Sequence, residues 1–260
     1  MENTVHHGFR PDTDTAENLY LNRALLFLVF VALFVFGLVN LLVGLDFAAY
    51  PVISHVHAIS MTAWLLLLAT QSVLGSSGSI SLHRRLGWAG AGFAIFVATT
   101  GVATVFQKLV TGRLELFDPG YLMMLGISNM TLYGLFVGAA IIARRNTPWH
   151  RRLILGSLLV IFEPVLGRLL PLFIFPFVGG PDQVLSFMES QRGAYEIMRI
   201  GSHLILIAAV MLGDRLATGR FHLVYWFVLI GVLALYEVVN FIGGIAGVDS
   251  FAASLAPTIS

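Results

Sequence analysis

Seven stretches of this chain share one pattern, a run of mostly apolar positions set off from the next by segments that hold Arg, Asp, Asn, Gly or Pro. They extend from Leu21 to Gly44, Val52 to Leu74, Leu86 to Gln107, Tyr121 to Ala143, Leu153 to Val178, Ala194 to Gly213 and Leu223 to Gly247. Crossing about 30 Å of hydrocarbon at 1.5 Å per residue takes about 20 residues, so each run is long enough to cross as an α-helix. The intervening segments are short, which makes consecutive helices neighbours in one bundle. The pattern therefore predicts an all-α, polytopic membrane protein with seven transmembrane helices. Residues 1–20 hold Glu2, Arg10, Asp12, Asp14 and Glu17 around no apolar core, and are expected as a soluble tail rather than a cleaved signal peptide. Residues 21–247 are expected to form the transmembrane domain and 248–260 a short C-terminal tail.

Composition agrees with a bilayer as the partner of the chain. Hydrophobic residues make up 57% and charged residues 11%, against about 25% charged in a soluble domain. The absence of Cys excludes a disulfide framework, a thiolate-held iron–sulfur cluster and a cysteine nucleophile. A net charge of +1 gives no reason to expect a nucleic-acid partner. The cations are unevenly placed: Arg10, Arg23, Arg84, Arg85, Arg144, Arg145, Arg151, Arg152, Arg215 and Arg220 fall on one side, and Lys108, Arg113 and Arg192 on the other. Basic loops stay in the cytoplasm, so the N-terminus is expected inside and the C-terminus in the periplasm of a bacterial inner membrane. Gly134 with Gly138, and Gly243 with Gly247, have Gly-x-x-x-Gly spacing and are read as packing positions. Asn129-Met130-Thr131 fits a glycosylation acceptor but lies within a span, out of reach of that chemistry.

A short pattern recurs at three basic boundaries: Leu82-His83-Arg84-Arg85-Leu86, Trp149-His150-Arg151-Arg152-Leu153 and Phe221-His222-Leu223. Each places a large apolar residue and a His where an odd-numbered span begins, consistent with three related helical hairpins. One reading has His83, His150 and His222 converging at the cytoplasmic mouth as metal ligands or a proton relay. The other makes them interface residues where helices enter the membrane.

The stretch from His57 to Trp64, with Gln71 and the His83-Arg84-Arg85-Leu86-Gly87 run, resembles a broad group of uncharacterised bacterial multi-pass membrane proteins. So do Arg144-Arg145, His150 with Arg152 and Arg168, and His222 with Tyr225. The resemblance covers about residues 55 to 230 and implies a fold and a membrane location. A fainter likeness to haem bundles of the cytochrome b561 type rests on histidines in an apolar bundle. Its paired-histidine, two-haem pattern is not reproduced, because His83, His150 and His222 stand at helix ends.

Ionisable side chains at bilayer depth cost about 2.5–3.5 kcal/mol each, so they are expected to face the bundle interior and pair. Glu163 and Arg168 fall in the fifth span, Glu196, Arg199 and His203 in the sixth, Glu237 and Asn240 in the seventh, and Asn40 and Asn129 in the first and fourth. Helical spacing puts Glu196, Arg199 and His203 on one stripe, and His57, Ser60, Met61, Trp64 and Gln71 on another. His55 points elsewhere. Glu163 precedes Pro164, which deletes a backbone donor and is expected to bend the helix beside a buried carboxylate.

These residues are expected to form one polar pocket in the outer half of the bilayer, with Asn129, Arg168, Glu196, Arg199 and Asn240 on its wall. The leading functional expectation is haem b or a transition metal held by His57 and His203, supported by Glu163 and Glu237, for redox chemistry with a membrane redox partner. The alternatives are a proton-coupled transporter or permease using Glu163, Glu237 and His203, and a non-catalytic scaffold in which Arg168 or Arg199 neutralises a Glu. A retinal protein is excluded for want of a lysine within the bundle, since Lys108 lies at a helix end. Neither a His-Glu-x-x-His helix nor a phosphate-binding Gly-rich loop is present.

Overall fold

The computed structural model describes residues 13–43, 49–112, 117–179 and 181–255, all of it helix and short connections with no strand among them. Residues 1–12, Gly44, Arg113 and 256–260 lie outside the described residues, as does the side chain of Asn40. Ten α-helices follow in order: α1 (Thr13–Val43), α2 (Val52–Ser76), α3 (Ile80–Val110), α4 (Pro119–Ile142), α5 (Thr147–Val160), α6 (Glu163–Val178), α7 (Pro181–Ser190), α8 (Arg192–Thr218), α9 (Leu223–Gly243) and α10 (Ala246–Ser254). Six of them, α1, α2, α3, α4, α8 and α9, are each long and apolar enough to cross a membrane. The expected fifth span is instead two helices, α5 and α6, which meet at a 49° bend.

The six long helices form a ring in the order α1, α2, α3, α4, α9, α8, and α5 packs inside it against α1, α4 and α9. From Leu155 to Phe162 every residue is buried, so this segment is the axis of the bundle. The outer helices carry their apolar residues all round, with Phe27, Phe30, Ile95, Leu135, Ile205 and Phe241 exposed on the outside of the ring. A helix hydrophobic on every face is stable where lipid is its solvent.

The bend follows from Pro164. A proline has no N–H, so the carbonyl of Val160 loses its i+4 donor, and the chain tightens instead, with Phe162 donating to the Leu159 carbonyl at 3.2 Å. At the other end of the chain, α10 covers the start of α4: Asp249 accepts from the Gly120 N–H at 2.9 Å, and Ala252 is fully buried. The segment expected as a tail is therefore helical to Ser254 and part of the packing. α1 likewise begins eight residues before the expected span.

Backbone approach occurs at glycines other than the Gly134–Gly138 pair. A Cβ on Gly134, Gly138 or Gly247 would meet nothing within 4 Å, whereas one on Gly120 would stand 2.5 Å from the Gly243 carbonyl oxygen. The close contact is thus between the first turn of α4 and the last of α9. Gly120→Ala is expected to lower stability by about 1–3 kcal/mol through overpacking, while Gly134→Ala leaves it unchanged or slightly raised through helix propensity. Thermal unfolding of both variants in detergent measures the difference, and equal midpoints would show that this backbone contact is not made.

Candidate functional site

The polar centre of the bundle is built where α5 breaks. Val160 presents a carbonyl that has lost its i+4 donor to Pro164, while the Leu159 carbonyl keeps the tighter bond from Phe162 and has room for a second donor. Nε2 of His203, on α8, reaches the Leu159 carbonyl at 2.8 Å, and Nδ2 of Asn129, on α4, reaches that of Val160 at 3.5 Å. A carbonyl only accepts, so Nε2 holds the ring proton of His203, and Nδ1 accepts from the Tyr236 hydroxyl at 2.9 Å. Both imidazole nitrogens are thereby engaged.

Glu163, the first residue of α6, is buried and bonded to Nη1 of Arg199, which is itself completely enclosed. Nη2 of Arg199 donates to the Tyr121 hydroxyl at 2.5 Å. The guanidinium also lies 5.3, 5.8 and 5.6 Å from the ring centres of Phe117, Tyr121 and Tyr236, within cation–π range of all three. Its Nε has no partner among the described residues, nor has Oδ1 of Asn129. Taking two charges out of water costs several kcal/mol per ion, and only close geometry with further hydrogen bonds repays it. The pair has that geometry on one side and one unused donor on the other.

Helical phase explains which expected members join. On α8, Tyr195, Arg199, His203, Ile207 and Asp214 form the inward stripe, so Arg199 and His203 meet the break. Glu196, next to the inward Tyr195, is partly exposed and pairs with Arg192 at 3.7 Å, outside the cluster. Arg168 is five residues past Glu163, far round the helix; it is exposed, donating to the Pro164 carbonyl at 3.1 Å and lying 4.6 Å from the Phe36 ring centre. Glu237 and Asn240 share a face as expected, but that face is exposed, because Tyr236 and Val239 take the inward positions of α9. The single pocket of the sequence reading therefore contracts to Glu163, Arg199, His203 and Asn129, with three aromatic residues around the cation.

His57 stands in another place. The hydroxyl of Thr100 donates to the Val97 carbonyl at 3.0 Å, and its oxygen receives Nδ1 of His57 at 3.2 Å. Ser60 and Trp64, on the same stripe of α2, are buried, so the predicted face does turn inward. The contacts of His57, namely Thr100 and the surroundings of Gly101 and Met130, share no residue with those of His203. Among the described residues no three His, Asp or Glu side chains are gathered as a metal ion would require.

Comparison with known proteins finds no matching family model, no matching curated sequence and no matching solved structure.

A second buried ionic cluster went unnoticed in the sequence. Arg152 on α5 is gripped by Asp214 of α8 through Nε and Nη2, both at 2.8 Å, and by Glu17 of α1 at 2.8 Å. Arg152 and Asp214 are fully buried. The doublet Arg151-Arg152 carried the signal: adjacent helical residues point about 100° apart, so one of two consecutive arginines on a central helix has to face protein. Arg151 turns to Asn18 and Asn22 of α1 instead. His222, at the N-cap of α9, accepts from the Val224 N–H at 3.3 Å and packs edge-on to Trp149.

Removing one partner of the Glu163–Arg199 pair leaves a buried charge alone. Glu163→Gln or Arg199→Met is expected to destabilise by about 3–5 kcal/mol, and the double variant by much less. A double-mutant cycle by denaturant unfolding tests this; additive losses would mean the two side chains do not interact. His222, between α8 and α9, is held below the usual histidine range by burial and by the Arg152 cation. Its neutral form makes the cap, so this contribution is complete above about pH 6.5 and is lost as pH falls toward the folded-state value. His222→Asn, which also caps, is expected to keep the α9 start and lose that pH dependence, measured as unfolding midpoints between pH 5 and 8.

Proposed function

We propose that the protein is a proton-coupled transporter of the bacterial inner membrane that takes a small organic anion at the break between α5 and α6. In this reading the two helices are halves of one broken span. Seven crossings then leave the N-terminus in the cytoplasm, on the side that the arginine-rich loops favour.

One observation carries the reading: an ionisable pair sits at the N-terminus of a half-helix in the centre of the bundle. Discontinuous helices in transporters aim such N-termini at anionic substrate groups, because the unpaired N–H groups and the helix dipole are positive there. Glu163 occupies that end as an internal anion bonded to Arg199. A proton on Glu163 removes its charge and its hold on the guanidinium. A solute carboxylate then replaces it, with the unused Nε of Arg199 as an additional donor. One proton and one anion bind together, and the net charge of the site is unchanged. Asn129 and His203 keep the broken backbone satisfied while this exchange occurs.

The cofactor reading on His57 and His203 has less support, because the protein itself engages both nitrogens of His203. A scaffold would also contain buried ion pairs, but has no need of a break beneath them.

In proteoliposomes, uptake of labelled lactate, pyruvate or succinate is expected to be saturable and driven by an acid exterior. One pH unit supports about tenfold accumulation at one proton per anion. Glu163→Gln is expected to lose the dependence on the gradient, and Arg199→Lys to lose uptake. Folded protein that takes up none of the three under either condition would end this proposal.

A further inference from the structure

His83 and His150, from the basic boundaries of α3 and α5, meet. Their ring centres are 6.3 Å apart and their planes 85° to each other. Nδ1 of His83 lies 3.2 Å from the Gln71 carbonyl, and Nδ1 of His150 lies 2.8 Å from the Ala140 carbonyl. Carbonyls only accept, so in both rings Nδ1 holds a proton, and the lone pair of the neutral ring falls on Nε2. An imidazole with one N–H tied to a backbone carbonyl and the other nitrogen open is the usual arrangement of a metal-ligating histidine. The Ala140 carbonyl belongs to the last turn of α4, where the helical ladder ends and carbonyls take partners from outside the helix.

We propose that His83 and His150 bind one transition-metal centre between their Nε2 atoms, in trans. Two nitrogens each about 2.0 Å from a metal, on opposite sides, plus the half-width of each ring, place the ring centres about 6 Å apart. A tetrahedral angle would bring them closer together. α3 and α5 both pack on α4, and the two rings meet across its C-terminal end, so the centre would tie α3 to α5.

The surrounding charge narrows the metal. Neither imidazole has a carboxylate partner among the described residues, and Arg84, Arg85, Arg144, Arg145 and Arg151 flank them in sequence. Such a site disfavours a bare divalent ion. Two chemistries accept trans imidazoles without a further anionic protein ligand: a cuprous ion in linear coordination, and a haem iron whose propionates the arginines would neutralise. Both rings are partly buried and lie at the basic end of the bundle. His222 is not part of the site, since its Nδ1 lone pair accepts from the Val224 N–H. This inference is independent of the transport proposal, which concerns Glu163 and Arg199.

The test uses the full-length protein purified in detergent, with its visible spectrum recorded first, followed by anaerobic titration with cuprous ion against a chromogenic chelator. The result expected is a single centre per chain, seen either as a Soret band or as one-to-one cuprous binding. His83→Gln and His150→Gln are each expected to abolish the Soret band or to weaken cuprous binding by more than about 100-fold, since losing a ligand costs more than losing one of its supporting bonds. His222→Gln is expected to leave binding unchanged. His83→Met separates the sources: a thioether still ligates cuprous ion at near-native affinity, whereas a haem would take on a His–Met spectrum. All variants are compared by size-exclusion profile, so that loss of binding is read only from folded protein. Wild-type protein with neither signal, or binding that persists in the His83→Gln/His150→Gln double variant, would overturn the proposal.

Discussion

Backbone hydrogen bonding in a medium without water constrains this bundle more than any single side chain does. In hydrocarbon an unpaired N–H or C=O costs several kcal/mol, which is why spanning segments are normally unbroken helices. Pro164 interrupts the central one and leaves the carbonyl of Val160 in need of a donor from elsewhere, while that of Leu159, bonded to Phe162, takes a second donor at the same break. These donors are supplied by His203 on α8 and Asn129 on α4, so two ring helices are tied to the axis at one depth. The break in turn makes Glu163 the first residue of a helix, where a negative charge is favoured by the dipole. The buried carboxylate, its arginine and the histidine beside them all lie at the break that one proline makes.

The two ion clusters set the register of α8 against the axis. Arg199 and Asp214 are fifteen residues apart on one helix, about 22 Å along its length. They face partners of opposite sign, Glu163 on α6 and Arg152 on α5, the two halves of the bent pair to which α8 runs antiparallel. Turning α8 end for end would place Arg199 beside Arg152 and Asp214 beside Glu163. Neither cluster needs to add net stability to do this, because a mispaired buried charge is far more costly than a paired one is favourable. Apolar contacts between helices in lipid carry little orientational information, and buried charges supply it.

Much of this was legible in the sequence, for reasons that also mark where legibility ends. Helices were visible because hydrocarbon thickness imposes a length on every crossing, and the bend because Pro164 deletes a donor beside Glu163. Spacing places Arg199 and His203 correctly on the inward stripe of α8, but Glu196, grouped with them, lies outside it. Glu237 and Asn240 were misplaced because polarity was taken as a sign of facing inward. On α9 the inward row is set by Val228, Val232, Tyr236 and Val239, which leaves both polar residues outside. Arg168 was grouped with Glu163 by shared span, although their separation puts them on different faces. Arg152 enters the sequence reading as a basic charge that sets topology, and Asp214 does not enter it, because a count of cations does not reveal which of two adjacent arginines turns toward protein. The separation of His57 from His203 depends on the ring order of the helices, which no local pattern contains.

The histidines show how one side chain takes different roles according to the atom that meets a carbonyl. In His203 the carbonyl takes Nε2–H and a tyrosine hydroxyl takes the remaining lone pair, so the ring is a bridge and nothing more. In His222 the lone pair of Nδ1 is spent on a backbone N–H, and the ring is a cap. In His83 and His150 the carbonyl takes Nδ1–H, and the outer nitrogen of each ring has no hydrogen-bond partner among the described residues. Burial alone would have ranked His203 first as a ligand, since it is the most enclosed of these. Hydrogen-bond accounting reverses the order, because a ligand needs an available electron pair and deep burial in lipid is sustainable only when that pair is already in use.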